Sequence, residues 1–318
     1  MTEPWLNTLR CSNQRSVTSL ICKGLFHRFI NVTLIAVILF VASSGAAQTQ
    51  LAPGSAIPSD DLKKYPGLLL EFGQLMKKIQ DGVQYPAPRG QSRLLPLLPK
   101  STVVYAAFPN YGEASHQALT IFQQELKENA ELRAWWTHSE MASNGPKIED
   151  ALEKFFQISQ YLGDEIVVSA SLESHKYPNV LILSEVRKPG LKSVLEQMSN
   201  ELGGKAGPPI RVLDLQTLPT TPDILITDQL VVLVRPDFVI AAPNVAALRS
   251  FNAVLDHNTH DFAAIPFGQR MARTYEGGVT AVAGADMQEI LKQAPPGIDQ
   301  KTLHRTGFAD MKYLVWEH

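Results

Sequence analysis

"QLVVLVRPDFVIAAPNVAALRSF", residues 229–251, decides the fold class of this chain. Two apolar, β-branched runs, "QLVVLV" (229–234) and "FVIAA" (238–242), flank the short break Arg235-Pro236-Asp237. A connection this short joins antiparallel strands, because a parallel pair needs a crossover of about a dozen residues or more. The second run stops at Pro243-Asn244 and passes straight into Val245, Leu248, Phe251 and Leu255, which recur at helical spacing. Asn244 stands where an N-cap residue belongs, with a side chain that can accept from a first-turn amide. Such junctions also hold anions, but those sites use glycines to bring backbone close to the ligand, and 236–251 has none. Asn244 is therefore expected to cap the helix.

The same strand–break–helix unit recurs in looser form. "STVVYAAF" leads through Pro109-Asn110 into Ala114, Ala118, Ile121, Phe122 and Leu126. "NVLILSEV" leads through Lys188-Pro189-Gly190 into Leu191, Val194, Leu195, Met198 and Leu202. "VTAVAGA" leads through Asp286 into Met287, Ile290 and Leu291, with Glu289 at capping-box spacing from Asp286. The spacing between units is irregular, so this is no solenoid. "DEIVVSASL" (164–172) pairs with "NVLILSEV" as a second hairpin across Glu173 to Pro178. "IRVLDL" (210–215) and "DILIT" (223–227) are further strands. The fold class is α+β: one or two mostly antiparallel sheets backed by amphipathic helices.

The N-terminus reads as an address, not as fold. Arg10, Arg15, Lys23 and Arg28 precede the apolar run "FINVTLIAVILFVA" (29–42), and small residues follow. That is the pattern of a secretory signal, cut after Ala47 or Ala46. The rival reading is an uncleaved anchor, although the run is short against the ~20 apolar residues of a bilayer span. Either way the protein is expected to be exported, periplasmic or extracellular, with residues 29–42 as a membrane tether if they are retained. Both cysteines, Cys11 and Cys22, precede this run, so the exported part is stabilised by its core and not by disulfides. Removing residues 1–47 leaves 25 bases against 30 acids, a net charge of −5, which is not the footprint of a nucleic-acid binder. Residues 48–99 then divide into a small, polar tether, a short amphipathic helix over 67–81 and a stiff proline-rich connector, "YPAPRGQSRLLPLLP" (85–99). Residues 100–318 form the α+β domain.

Candidate chemistry is sparse. There is no nucleophile elbow, P-loop, dinucleotide glycine fingerprint or zincin helix, and no cofactor is expected. "DHNTHDF" brings Asp256, His257, His260 and Asp261 together in sequence. Imidazole and carboxylate suit zinc, but the Asn and Thr between them are those of a polar loop, and no metal is expected there. "RAWWTHSE" supplies Trp135, Trp136 and His138, which could line a groove for a sugar, a peptide or another envelope ligand. Aromatic residues late in an amphipathic stretch are more often core or helix-end packing, because they supply so much buried area.

Five stretches in order carry a resemblance: "LPKSTVVYAAFPN" (98–110), "LGDEIVVSASL" (162–172), "VLILSEVRKPGLKSVLEQMSNEL" (180–202), "PDFVIAAPNVAALRSF" and "GVTAVAGADMQEIL" (278–291). Together they resemble a family of exported bacterial proteins known as a domain of unknown function, over roughly residues 94–292. The resemblance implies export and strand–helix units, and it assigns no activity or catalytic residue. It also implies chains that continue past "TGFADMKYLVWEH" (306–318), which reads as opening another strand, so the domain is expected to be cut short at its C-terminus. The function expected is non-enzymatic binding or scaffolding of an unknown protein or envelope ligand outside the cytoplasmic membrane. The alternative is an extracytoplasmic hydrolase whose groups, such as His138, His175 or His257, converge only in space.

Overall fold

The hairpin that decides the fold class is present. Strands β5 (Leu230–Val234) and β6 (Phe238–Ala242) pair antiparallel, and Arg235 N donates to Phe238 O at 2.8 Å across the turn. The computed structural model describes residues 63–138, 141–172, 179–202, 210–223, 230–257, 261–292, 307 and 310–318. The expected strand "DILIT" lies outside them apart from Asp223, and so do the apolar run 29–42, His175 and His260.

The remaining described strands are β1 (Thr102–Pro109), β2 (Leu162–Ser171), β3 (Asn179–Val186), β4 (Ile210–Leu213), β7 (Val282–Asp286) and β8 (Tyr313–Glu317). They join β5 and β6 in one eight-stranded sheet of order β4-β5-β6-β3-β2-β1-β7-β8. Every pair is antiparallel except β4–β5. The β2–β3 hairpin matches Val167 with Leu183 and Ser169 with Leu181. The class is α+β with a mostly antiparallel sheet.

Register gives the sheet two unlike faces. Tyr105, Ala107, Val167, Leu181, Leu183, Val231, Leu233, Ile240 and Val282 are all buried on the first face. Over it lie α6 (Val245–Asp256) and α7 (Pro266–Tyr275), through Leu248, Phe251, Phe267 and Met271. Gly268 lets α7 meet the turn Phe262–Ala264, since a Cβ there would stand 1.7 Å from the Phe262 carbonyl oxygen. On the second face α5 (Leu191–Leu202) packs Leu191 and Leu195 against Val232. Beyond that helix the second face is only half-buried: Val104, Ala106, Val168, Ala170, Val180 and Ile182 lie opposite one another across β1, β2 and β3.

Helices α1 (Leu68–Gly82), α2 (Gly112–Glu128) and α3 (Ala130–His138) pack on one another around Leu68, Leu75 and Leu132. Helix α4 (Met141–Ser159) lies along α2, and the short α8 (Met287–Lys292) follows β7. Among the described residues no helix is long and apolar enough to cross a membrane.

The proline-rich stretch is not a free connector. Its backbone bridges to the domain through Arg89 and Val279, N···O 2.8 and 3.0 Å. It then turns through a 3-10 helix, Leu95–Leu97, that buries Leu94, Leu95 and Leu98 in the main core. Four prolines forbid an α-helix there, but the Leu-Leu-x-x-Leu run supplies apolar area that the first sheet face takes up.

Candidate functional site

Two places stand out: a buried polar cluster beneath the proline-rich stretch, and the edge of the sheet at β8.

The cluster centres on Glu165 of β2, a carboxylate only 6% exposed. Arg89 Nη1 lies 2.6 Å from Glu165 Oε1, and Tyr275 of α7 donates its hydroxyl to the same oxygen at 2.8 Å. Ser92 donates to Glu165 Oε2 at 2.6 Å. The Tyr105 and Tyr275 hydroxyls lie 2.6 Å apart, so that Tyr105 donates to Tyr275 while Tyr275 donates to Glu165. Ser92 Oγ in turn accepts from the amides of Leu94 and Leu95, which starts the 3-10 turn. Arg89 Nη2 donates to the Thr280 carbonyl at 2.7 Å.

Burial, together with the negative charge of Glu165, pushes the hydroxyl pKa of both tyrosines up. They are neutral donors at physiological pH. Both oxygens of the carboxylate are occupied, so Glu165 is not a free base waiting for a substrate proton. The arrangement fastens the segment 89–95 to β2, β1 and α7. Sequence reasoning passed over Glu165, although it stands in the quoted "LGDE". An acid inside an otherwise apolar alternating strand was the available signal, because such a group is almost never buried unpaired.

The residues singled out from sequence lie elsewhere. Trp135 is 8% exposed and belongs to the helical core with Leu68, Leu75 and Leu132, its ring edge-on to Phe72 at 6.5 Å. Trp136 is half-buried and edge-on to Phe122 at 4.8 Å. His138 is exposed at the end of α3, where its Nδ1 lies 2.7 Å from the Ala134 carbonyl. The pair of tryptophans thus builds the contact of α3 with α1 and α2.

Asp256 is engaged by neighbours on α6 and the β5–β6 turn. Its carboxylate takes Arg235 Nη1 at 2.9 Å and Asn252 Nδ2 at 2.7 Å, which ties α6 to the β5–β6 turn. His257 is the C-cap of α6, and His260 is outside the described residues. Among the described residues no three His, Cys, Asp or Glu side chains converge as a metal-binding group. Neither His138 nor His257 bonds to a Ser, Asp or Glu side chain among them.

The strand–helix junctions cap in two ways. Asn244 Oδ1 accepts from Ala247 N at 2.8 Å, and Asp286 Oδ1 from Glu289 N at 3.1 Å. Glu289 itself turns to Lys292. Asn110 accepts from Gly112 N at 3.1 Å and donates to the Ser159 and Gly163 carbonyls at 2.9 and 3.1 Å. It joins β1, α4 and β2 just ahead of α2, whose N-cap position is Tyr111 and has no side-chain cap.

The sheet edge at β8 is built differently. Bonds between Ala281 and His318, and from Met287 N to Lys312 O, fix the phase of the β7–β8 ladder. Antiparallel pairs alternate between bonded and non-bonded. Leu314 and Trp316 therefore turn their backbone groups toward β7, while Tyr313, Val315 and Glu317 turn theirs outward. Among the described residues no strand meets that outer edge. The side chains of Leu314 and Trp316 are 52% and 38% exposed, and they lie opposite Ala285 and Ala283 on the second sheet face.

Among the described residues the fold is α+β on one eight-stranded, mostly antiparallel sheet, with an internal polar lock and, at β8, an edge that no described strand meets. The chain matches no family model, no curated protein and no solved structure.

Proposed function

We propose that the protein is exported and works outside the cytoplasmic membrane as a non-enzymatic binding or scaffolding protein, taking its partner as an added strand at β8. Export rests on the basic lead, the apolar run 29–42 and the small residues after it. Membership of the exported family that the chain resembles belongs to the same reading. The observation that carries the binding role is the β8 edge. Among the described residues no strand pairs with the outward backbone groups of Tyr313, Val315 and Glu317, which alternate with the side chains of Leu314 and Trp316. Strand addition uses this combination: main-chain hydrogen bonds give affinity, and alternate side chains give selectivity. Natural edges are usually guarded by inward charge, proline or a bulge, and "YLVWE" has none of these within the strand except its final Glu317.

The test places a photo-crosslinking amino acid at Trp316 in cells making the full chain. A discrete adduct at 316, absent when the probe stands at Lys77 on α1, supports the reading. Equal labelling at both positions, or none at 316, overturns it. Fractionation of the same cells tests export, which fails if the chain stays in the cytoplasm.

A further inference from the structure

We infer that the crevice between Pro99, the ends of β2 and β3, and helix α6 is a binding site for a neutral hydroxymethyl group, the arm of a sugar or a polyol. The site is independent of the β8 edge.

The sheet register builds its floor. Thr102 lies opposite Ser171 across β1 and β2, and Ser171 lies opposite Asn179 across β2 and β3. Directly opposed residues share a face, so the three form a polar row where the apolar first face ends. Helix α6 closes over the row and brings Ser250 to the same crevice.

The row is polar without being paired. Thr102 and Ser171 are only 2% and 3% exposed, and Thr102 Oγ1 is buried with no hydrogen-bond partner. The side chains of Ser171, Asn179 and Ser250 make no hydrogen bond among the described residues. Burying a hydroxyl unpaired is unfavourable, and native structures rarely keep one. Ser171 lines the crevice, so its hydroxyl is presented to whatever enters.

Size and charge select the occupant. The crevice admits a group about the size of a water molecule, and no charged side chain lines it. A carboxylate, a phosphate or an ammonium group would enter without a counter-charge. An apolar group would leave the hydroxyls unpaired, and a primary amide is larger than the space. A hydroxyl both donates and accepts, which suits the serine and threonine hydroxyls and the Asn179 amide. Pro99, Leu181 and Val254 flank these groups and give apolar contact to the methylene that carries the hydroxyl.

Saturation-transfer NMR on the full chain tests this with glucose, xylose and glycerol as probes. Xylose is glucose without its hydroxymethyl arm. The 6-methylene protons of glucose are expected to take the strongest saturation, and xylose none. Ser250 is exposed on α6, so Ser250→Leu narrows the crevice without entering the core and is expected to abolish the glucose signal. Ser171→Val fills the floor and is expected to do the same. Saturation of the glycerol methylenes alone, lost with the same variants, assigns the arm to a free polyol or a lipid headgroup instead of a sugar. Equal saturation of glucose and xylose, signals that survive Ser250→Leu, or no saturation of any probe overturns the inference.

Discussion

Arg89 and Glu165, 76 positions apart in the chain, meet at 2.6 Å with 12% and 7% of their side chains exposed. The contact holds the proline-rich segment against the sheet, and the ion pair is compensated only while both members are present. Arg89→Met strands a buried carboxylate. It is expected to cost about 3–5 kcal/mol, the range for breaking a buried pair from one side. Arg89→Met/Glu165→Gln is expected to lose clearly less than the two single losses added together, because the charge left behind is gone. Urea unfolding of the three variants checks this. Additive losses would mean that the two residues do not act as a pair.

The tyrosines above that pair give the fold an alkaline limit. Tyr105 and Tyr275 both have raised pKa values, first through burial and then through neighbouring acidic groups. A raised folded pKa favours the protonated form. The stabilisation is therefore fully present below the unfolded tyrosine pKa of about 10 and is lost as pH climbs beyond it. The groups facing the pair are Glu165, Arg89 and Ser92. Of the eight tyrosines, these two are expected to show no phenolate absorbance at 295 nm until the protein unfolds. Tyr275→Phe is expected to leave one such hidden tyrosine. Normal titration of all eight in the folded protein would contradict the burial of this pair.

Asn110 and Asn244 each follow a proline at a strand–helix junction and differ in the structure, which makes a comparison of variants informative. Asn244 makes one capping bond, to Ala247 N, and Asn244→Ala is expected to cost about 1 kcal/mol. Asn110 makes three bonds to three different segments. Beside it a Cβ on Gly112 would fall 1.7 Å from Ser159 Oγ, so no larger residue could close this corner in the same way. Asn110→Ala is expected to cost at least twice as much as Asn244→Ala in the same denaturation assay. Equal costs would reduce Asn110 to a simple cap.

What the sequence made legible was local. The hairpin at 230–242, the strand–helix units and the caps at Asn244 and Asp286 depend on residues within a few positions of one another, and periodicity reports those directly. Glu165, Tyr105, Tyr275 and the Arg89–Ser92 pair belong to four separate stretches, so no linear pattern could group them. The half-buried second face and the outward phase of β8 depend on strand order, which places β7 between β1 and β8. The proline-rich run was misleading for a physical reason. Prolines exclude an α-helix but leave a 3-10 turn open, and Leu94, Leu95 and Leu98 then find the core.

The paired tryptophans allow the sharpest separation of packing from recognition. Trp135 fills the space between α1 and α3, edge-on to Phe72, while Trp136 reaches α2 through Phe122. Trp135→Ala opens a cavity that backbone cannot close. It is expected to cost about 3–5 kcal/mol, as large aromatic truncations in cores do. Trp136→Ala, at a half-buried position, is expected to cost less, and His138→Ala, exposed at the helix end, under about 0.5 kcal/mol. Fluorescence reads the same contrast: added glycans or peptides are expected to leave the emission of Trp135 unchanged. In a Trp316→Phe background, quenching by such a ligand that is lost with Trp135→Phe or Trp136→Phe would make the tryptophan pair a recognition surface after all. Quenching that persists with either tryptophan replaced would point to Trp5, which precedes the apolar run.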